Sequence, residues 1–256
     1  MAALQVWWMT WRTAWLAAVA NRRGFVTQIT IMIVNDVVWV LFWVLVFSRV
    51  DEIRGWRLGD VIVLFAVLTT SAGVVLGALH NSRQIADYVL SGKLDALLNL
   101  PGPTLPHLLL RRVETLFIGD AIFGVLLFVL LGDPSPGRFA VFAFGVVCAV
   151  VIQVGFLVAA GSSAFFIRQQ EPGEMGLHSI LLFSSYPVDV FGGATKFLLY
   201  VVVPAGFVSS VPARLIDDFD LRWAAATVAV AATVALVGRQ VFQLGLRRYT
   251  SGSSWV

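Results

Sequence analysis

The sequence predicts an all-α integral membrane protein. Its expected parts are six transmembrane helices, an N-terminal interfacial helix, an amphipathic helix between spans 2 and 3, and a Pro-broken outer segment before span 6. Three observations lead there. Apolar residues make up 59% of the 256-residue chain and charged residues 13%, about half the charged share of a soluble domain, and mean hydropathy is +0.86. Apolar runs recur near the roughly 20 residues that a bilayer core requires. Clusters of Pro, Gly and charge separate the runs. The net charge is +3 and no basic run exceeds two residues, as in Arg22-Arg23, which leaves no electrostatic footprint for nucleic acid. The one cysteine, Cys148, lies in an apolar run and offers neither a disulfide framework nor a thiolate metal site. The first long apolar run follows Arg23 and is too long for the core of a cleavable signal peptide.

Residues 1–22 are expected to form the interfacial helix, because Leu4, Trp8, Trp11 and Trp15 fall on one helical face and Trp prefers the headgroup region. The same stripe also suits a helix packed on the protein itself. Spans are expected at 25–47, 61–79, 109–131, 139–167, 174–187 and 223–242, with a tight turn at Gly132-Asp133-Pro134-Ser135-Pro136-Gly137. The fifth assignment is one of two readings. In the preferred one, 191–215, interrupted by Gly192-Gly193, Lys196, Pro204 and Pro212, dips into the outer leaflet and returns, as irregular backbone does only when buried in protein. In the other, 191–216 is itself the fifth span.

Residues 81–103 break the membrane pattern. Ile85, Tyr88 and Val89 sit at i, i+3, i+4, and Leu94, Leu97 and Leu98 repeat that spacing after Gly92. Arg83, Asp87, Lys93 and Asp95 lie between them, and Pro101-Gly102-Pro103 stops the segment. So narrow an apolar face needs something to pack on: the lipid surface, the rest of the chain, or a second protein. The Lys and Arg counts orient it. Eleven fall on the side of both chain ends and this segment, seven on the other, which places both termini and residues 81–103 in the cytoplasm.

Chemistry is sparse. No phosphate-binding loop, nucleophile elbow or metal-ligand cluster occurs, and His80, His107 and His178 are scattered at span ends. Charge inside a span costs about 2.5–3.5 kcal/mol, so such residues are functional candidates: Asp36 beside Asn35 in span 1, and Glu114 and Asp120 in span 3. Glu114 also suits an i, i+3 pair with Arg111. Thr69-Thr70-Ser71 and Gln153 read as interhelical hydrogen bonds. The small-residue pairs Gly73/Gly77 and Ala225/Ala229 read as internal packing or a dimer seam.

This order of parts resembles the permeases of ABC type-2 exporters, and most of all a bacterial subfamily of ABC-2 family transporter proteins. The likeness is carried by Ser91-Gly92-Lys93-Leu94-Asp95 with Leu97-Leu98 and Pro101; by Tyr186-Pro187; by Val203-Pro204-Ala205-Gly206-Phe207-Val208 with Val211-Pro212-Ala213; and by Gly245-Leu246-Arg247-Arg248-Tyr249 with Ser251-Gly252. It covers nearly the whole chain.

The resemblance implies a multi-pass protein of the bacterial plasma membrane, with no catalytic residue, metal or cofactor of its own. ATP and Mg would sit on a separate ATP-binding cassette subunit. Residues 81–103 become the coupling helix, with Ile85, Tyr88, Val89, Leu94 and Leu97 docking and Arg83, Asp87, Lys93 and Asp95 at the rim. The surface helix becomes the elbow helix. A second permease, identical or a different related chain, completes the path, lined in part by spans 1, 2 and 5. Asn35, Asp36, Trp39, Phe42 and Trp43 are its candidate lining residues. Two other classes stand beside this one: a proton-coupled carrier using Asp36, Glu114 or Asp120, and a membrane scaffold that transports nothing.

Overall fold

The computed structural model describes residues 2–250, with side chains from Leu4 onward; the Ser251-Gly252 motif lies outside this range. Among the described residues, β structure is limited to an isolated bridge between Ile53 and Trp56. The helices run α1 (Ala2–Val19), α2 (Arg22–Phe47), α3 (Leu58–Gly73), α4 (Ile85–Leu90), α5 (Asp95–Leu98), α6 (Thr104–Leu109), α7 (Thr115–Leu131), α8 (Pro136–Ser162), α9 (Ala164–Ile167), α10 (Glu171–Ser184), α11 (Gly193–Val201), α12 (Val211–Asp217) and α13 (Leu221–Arg248). Among the described residues, four stretches are long and apolar enough to cross a membrane: α2, α3 continued by a π turn to Ala78, α8 with α9, and α13. A fifth exists if α11 and Gly206–Asp217, bent by 71°, count as one. α7 is apolar but shorter, at 17 residues.

α3 is the core helix. Every residue from Val61 to Gly73 is buried, between α7 on one side and α8 and α12 on the others. Small residues set the spacing. A Cβ on Gly73 would stand 2.2 Å from the Ala121 backbone nitrogen, and one on Gly124 would meet the Thr70 backbone at 2.6 Å. Gly155 and Gly238 bring α8 and α13 equally close. The Gly73/Gly77 pair is therefore internal packing, whereas Ala225 and Ala229 face outward. Gln153 donates across helices to the Ser71 hydroxyl at 2.8 Å. Thr69 and Thr70 instead donate to carbonyls of their own helix, Phe65 and Ala66, the ordinary outlet for a buried helical hydroxyl.

Two expected elements differ. Residues 81–103 are not one helix. Gly92 takes a left-handed backbone (φ 74°) after α4, and the Leu94 N–H returns to the Tyr88 carbonyl, so the segment folds back before α5. Span 3 does not begin at 109, because the chain is extended at Glu114, whose N–H donates to the Gly77 carbonyl at 2.9 Å. Glu114 thus precedes α7 and lies outside the apolar stretch. It pairs with Arg112 at 3.0 Å and not with Arg111, since no helical turn connects 111 to 114.

The Pro-broken stretch keeps its irregular backbone inside protein. Residues 204–213 are buried, Ser209 donates to the Ser184 carbonyl at 2.7 Å, and the Ser210 hydroxyl accepts from the Val188 N–H at 3.0 Å. The Ser184 hydroxyl in turn donates to the Ala205 carbonyl, so polar groups of this stretch and of 184–188 partner one another where hydrocarbon could not.

Candidate functional site

The end of the bundle that holds α1 and the tail of α13 is organised around α4 and α5. Ile85, Leu94 and Leu97 are 1% exposed or less and Val89 is buried with them, packed on Leu108, Val158, Ala164 and Phe242. Four of the five side chains expected to dock a partner are therefore spent inside this chain, and Tyr88 is half-buried. The periodicity marked the buried face correctly, but the face it buries against is α8, α9 and α13. Outward the segment shows Arg83, Leu90, Ser91, Lys93, Ala96, Leu98 and Asn99. Asp87 ties to Lys93 at 2.9 Å, and Asp95 lies beside the Tyr249 hydroxyl. Burial, then that carboxylate, push the Tyr249 phenol up to about 12. Burial likewise pushes the His80 ring below its ordinary value, and it bonds the Leu76 carbonyl and Gln84. Beside the segment, Trp7 of α1 donates to His107 at 3.2 Å. α1 is thus anchored on α6, while Leu4 and Trp8 of its expected stripe stay exposed.

A groove of about 650 Å³ rises from this end along α10. It begins between Arg83, Asp87 and Gln170, passes Glu174 and His178, and continues past Leu177, Leu181 and Trp39 to Ser185. From Glu171 to Ser185 the helix climbs about 21 Å at 1.5 Å per residue. Polar groups gather at its lower half, apolar ones above. Of the expected lining residues, Trp39 is on this groove and Asn35 and Phe42 are exposed. Asp36 and Trp43 are not on it: both turn inward, Trp43 against Tyr186 and Asp36 against Asp120 of α7. Span 2, the buried α3, does not line this groove. A helix at the centre of the core has no free face to offer.

The Asp36 and Asp120 carboxyls are both buried where α2 packs on α7, with no cation paired to either among the described residues. Periodicity placed each on its helix but not opposite the other.

The far end is closed by a charge cluster that the sequence reading passed over. Trp56, fully buried, donates from Nε1 to Asp189 at 2.9 Å, and Lys196 pairs with the same carboxylate at 2.6 Å. Arg214 stacks on the Trp56 ring at 4.0 Å and donates to the Gly55 carbonyl. Burial alone would raise the Asp189 carboxyl. The bonds from Lys196 and Trp56 outweigh it and hold that carboxyl below the usual range. Nearby, Arg138 pairs with Asp217 at 2.9 Å. The available signal was Lys196, a cation inside an apolar run, and a Trp within the polar loop 51–60.

No group of three or more His, Cys, Asp or Glu able to hold a metal occurs among the described residues. A family model described as ABC-2 family transporter protein matches residues 33–253. No curated protein and no solved structure matches.

Proposed function

Since the chain belongs to the ABC-2 family of transporter proteins, a family of multi-pass membrane components, we propose that it is the permease of an ATP-driven exporter, powered by a separate ATP-binding subunit. The observation that carries this reading is the family match over 33–253 in a chain that has no phosphate-binding loop. In this reading six segments cross the bilayer: α2, α3, α7, α8 with α9, α10, and α13. The Pro-broken 191–215 re-enters from outside, α1 is the elbow helix, and α4–α5 form the coupling element on the cytoplasmic side. The docking face is the exposed one, centred on Leu90 and Leu98 with Arg83, Asp87, Lys93 and Asp95 around it. The groove along α10 is one wall of a substrate path, completed by a second permease, identical or related. Its polar lower half and apolar upper half suit an amphipathic cargo.

Proteoliposomes test this. Transport is expected only when the chain is reconstituted with its ATP-binding subunit, whose ATP hydrolysis it should stimulate. Full transport by the chain alone would sink the proposal.

One observation keeps the proton-coupled reading alive. Asp36 and Asp120 are buried carboxyls with no cation paired to either among the described residues, which makes them the candidates to carry a transported proton, whereas Glu114 is already paired with Arg112. The pair faces the packed seam between α2 and α7 and not the groove, which favours ATP as the energy source. The double variant D36N/D120N is accordingly expected to keep ATP-dependent transport within about twofold and to show no change in proton uptake. Loss of proton-gradient-driven transport in that variant would reverse the ranking.

A further inference from the structure

The end opposite α4–α5 holds a second cavity, of about 660 Å³, that the transport reading does not use. It lies between α11, α12 and the first turns of α13. Helix α13 gives it a direction. Asp220 caps the helix, and Val230 at the cavity floor lies ten residues on, about 15 Å deeper at 1.5 Å per residue. Arg214, Asp218 and Asp220, all exposed, collect at the mouth. Trp56, Tyr200, Phe207, Leu215 and Trp223 form mostly apolar walls that also include the mutually paired Asp189 and Lys196, and Val230 lies farthest along α13. The cavity thus carries charge at its mouth and reaches down about the hydrocarbon depth of one leaflet.

Charge at the mouth is of both signs and is not internally cancelled. Lys196 is committed to Asp189. Arg214 and Asp218 form no ion pair among the described residues, and Asp220 uses one oxygen to cap the Arg222 N–H. The mouth therefore carries one guanidinium, held over the Trp56 ring and bonded to the Gly55 carbonyl, and two carboxylates beside an exposed indole. A guanidinium selects phosphate. Carboxylates beside an aromatic face select ammonium. A headgroup with phosphate alone would meet two uncompensated carboxylates.

We propose that this cavity holds a phospholipid with a zwitterionic, amine-bearing headgroup, drawn from the leaflet at that end of the bundle. Its phosphate lies toward Arg214, its ammonium toward Asp218, Asp220 and Trp223, and an acyl chain runs past Phe207 to Val230. The site does not depend on the chain's being a permease.

The test uses the full chain in nanodiscs containing a trace of phosphatidylethanolamine with a photoreactive group on its acyl chain. Cross-links are expected to map to the cavity walls in α11 and α13. Unlabelled phosphatidylethanolamine should displace them about fivefold better than phosphatidylglycerol, the scale of one partly exposed ion pair. D218N/D220N should abolish that preference without shifting the melting temperature, because Asn at 220 retains the cap. Equal displacement by both lipids, or labelling spread evenly over the lipid-facing sides of α2 and α13, would overturn the proposal. Should the double variant fail to fold, the competition on the unsubstituted chain decides alone.

Discussion

Replacing Leu90 and Leu98 together by arginine is expected to abolish recruitment of an ATP-binding subunit while leaving the chain folded. The two leucines are 39% and 43% exposed, on a segment whose other leucines are buried. Neither belongs to a buried apolar cluster, and an arginine at either site can carry its charge to solvent, so the folding cost stays within about 0.5 kcal/mol per site. At an interface, two such central apolar contacts are worth about 2 kcal/mol or more, or at least about 30-fold in affinity. Co-purification of the ATP-binding subunit and its stimulated hydrolysis should both be lost. Single cysteines at Leu90, Lys93 and Leu98 should cross-link to that subunit, whereas cysteines at Ile85 and Leu94, buried on Val158 and Phe242, should not. A double-arginine variant that recruits the subunit normally would show that the docking face lies elsewhere. The reverse experiment, Ile85→Arg, is uninformative about docking because it places an unpaired charge in a closed apolar cluster.

Adding one methyl group at Gly73 should destabilise the fold more than most deletions of a large side chain. The new Cβ would lie 2.2 Å from the Ala121 nitrogen and 2.8 Å from its Cα. Backbone cannot swing aside as a side chain does, so α3 and α7 must separate along their length. Overpacking of this kind costs about 3 kcal/mol or more, which lowers the melting temperature by about 6–12 °C in a chain of this size. Gly59→Ala is the control: the same helix, with open space around the new methyl, and a slight gain is expected there from reduced backbone freedom. If both variants melt alike, the close approach of α3 to α7 is wrong.

Much of this was legible from residue order. The membrane class, the apolar runs that become α2, α3, α8 and α13, the turn before Pro136 and the Gln153 bond across helices follow from hydropathy and helical period. So did the fact that Ile85, Val89, Leu94 and Leu97 share a buried face. What burial alone does not reveal is the identity of the neighbour. An apolar stripe reads the same whether α8 and α13 cover it or a second protein does, and here the chain covers it itself. Of the outward leucines, Leu90 fell outside the regular spacing, whereas Leu98 fell within it beside Leu94 and Leu97 and is nonetheless exposed. Likewise Asp36 and Asp120 each stood out as charge in apolar sequence, but their mutual contact is a fact of how α2 is turned toward α7. The start of α7 was misplaced because the apolar Leu108-Leu109-Leu110 run continues the hydropathy of the span, while the helix waits for an extended Glu114 bonded to Gly77.

The left-handed backbone of Arg168 (φ 53°) stands where α9 ends and α10 begins. On one side of it, α4, α5, the base of α8 and the tail of α13 share a single apolar cluster. On the other, α10 forms the long wall of the groove. Gly173 and Gly176 also set α10 against Gly161 and Ala160 of α8. If an ATP-binding subunit docks at Leu90 and Leu98, as proposed, a push there would meet a clamped α4, pass to the whole cluster, and reach the groove wall both through residues 168–170 and through this glycine contact.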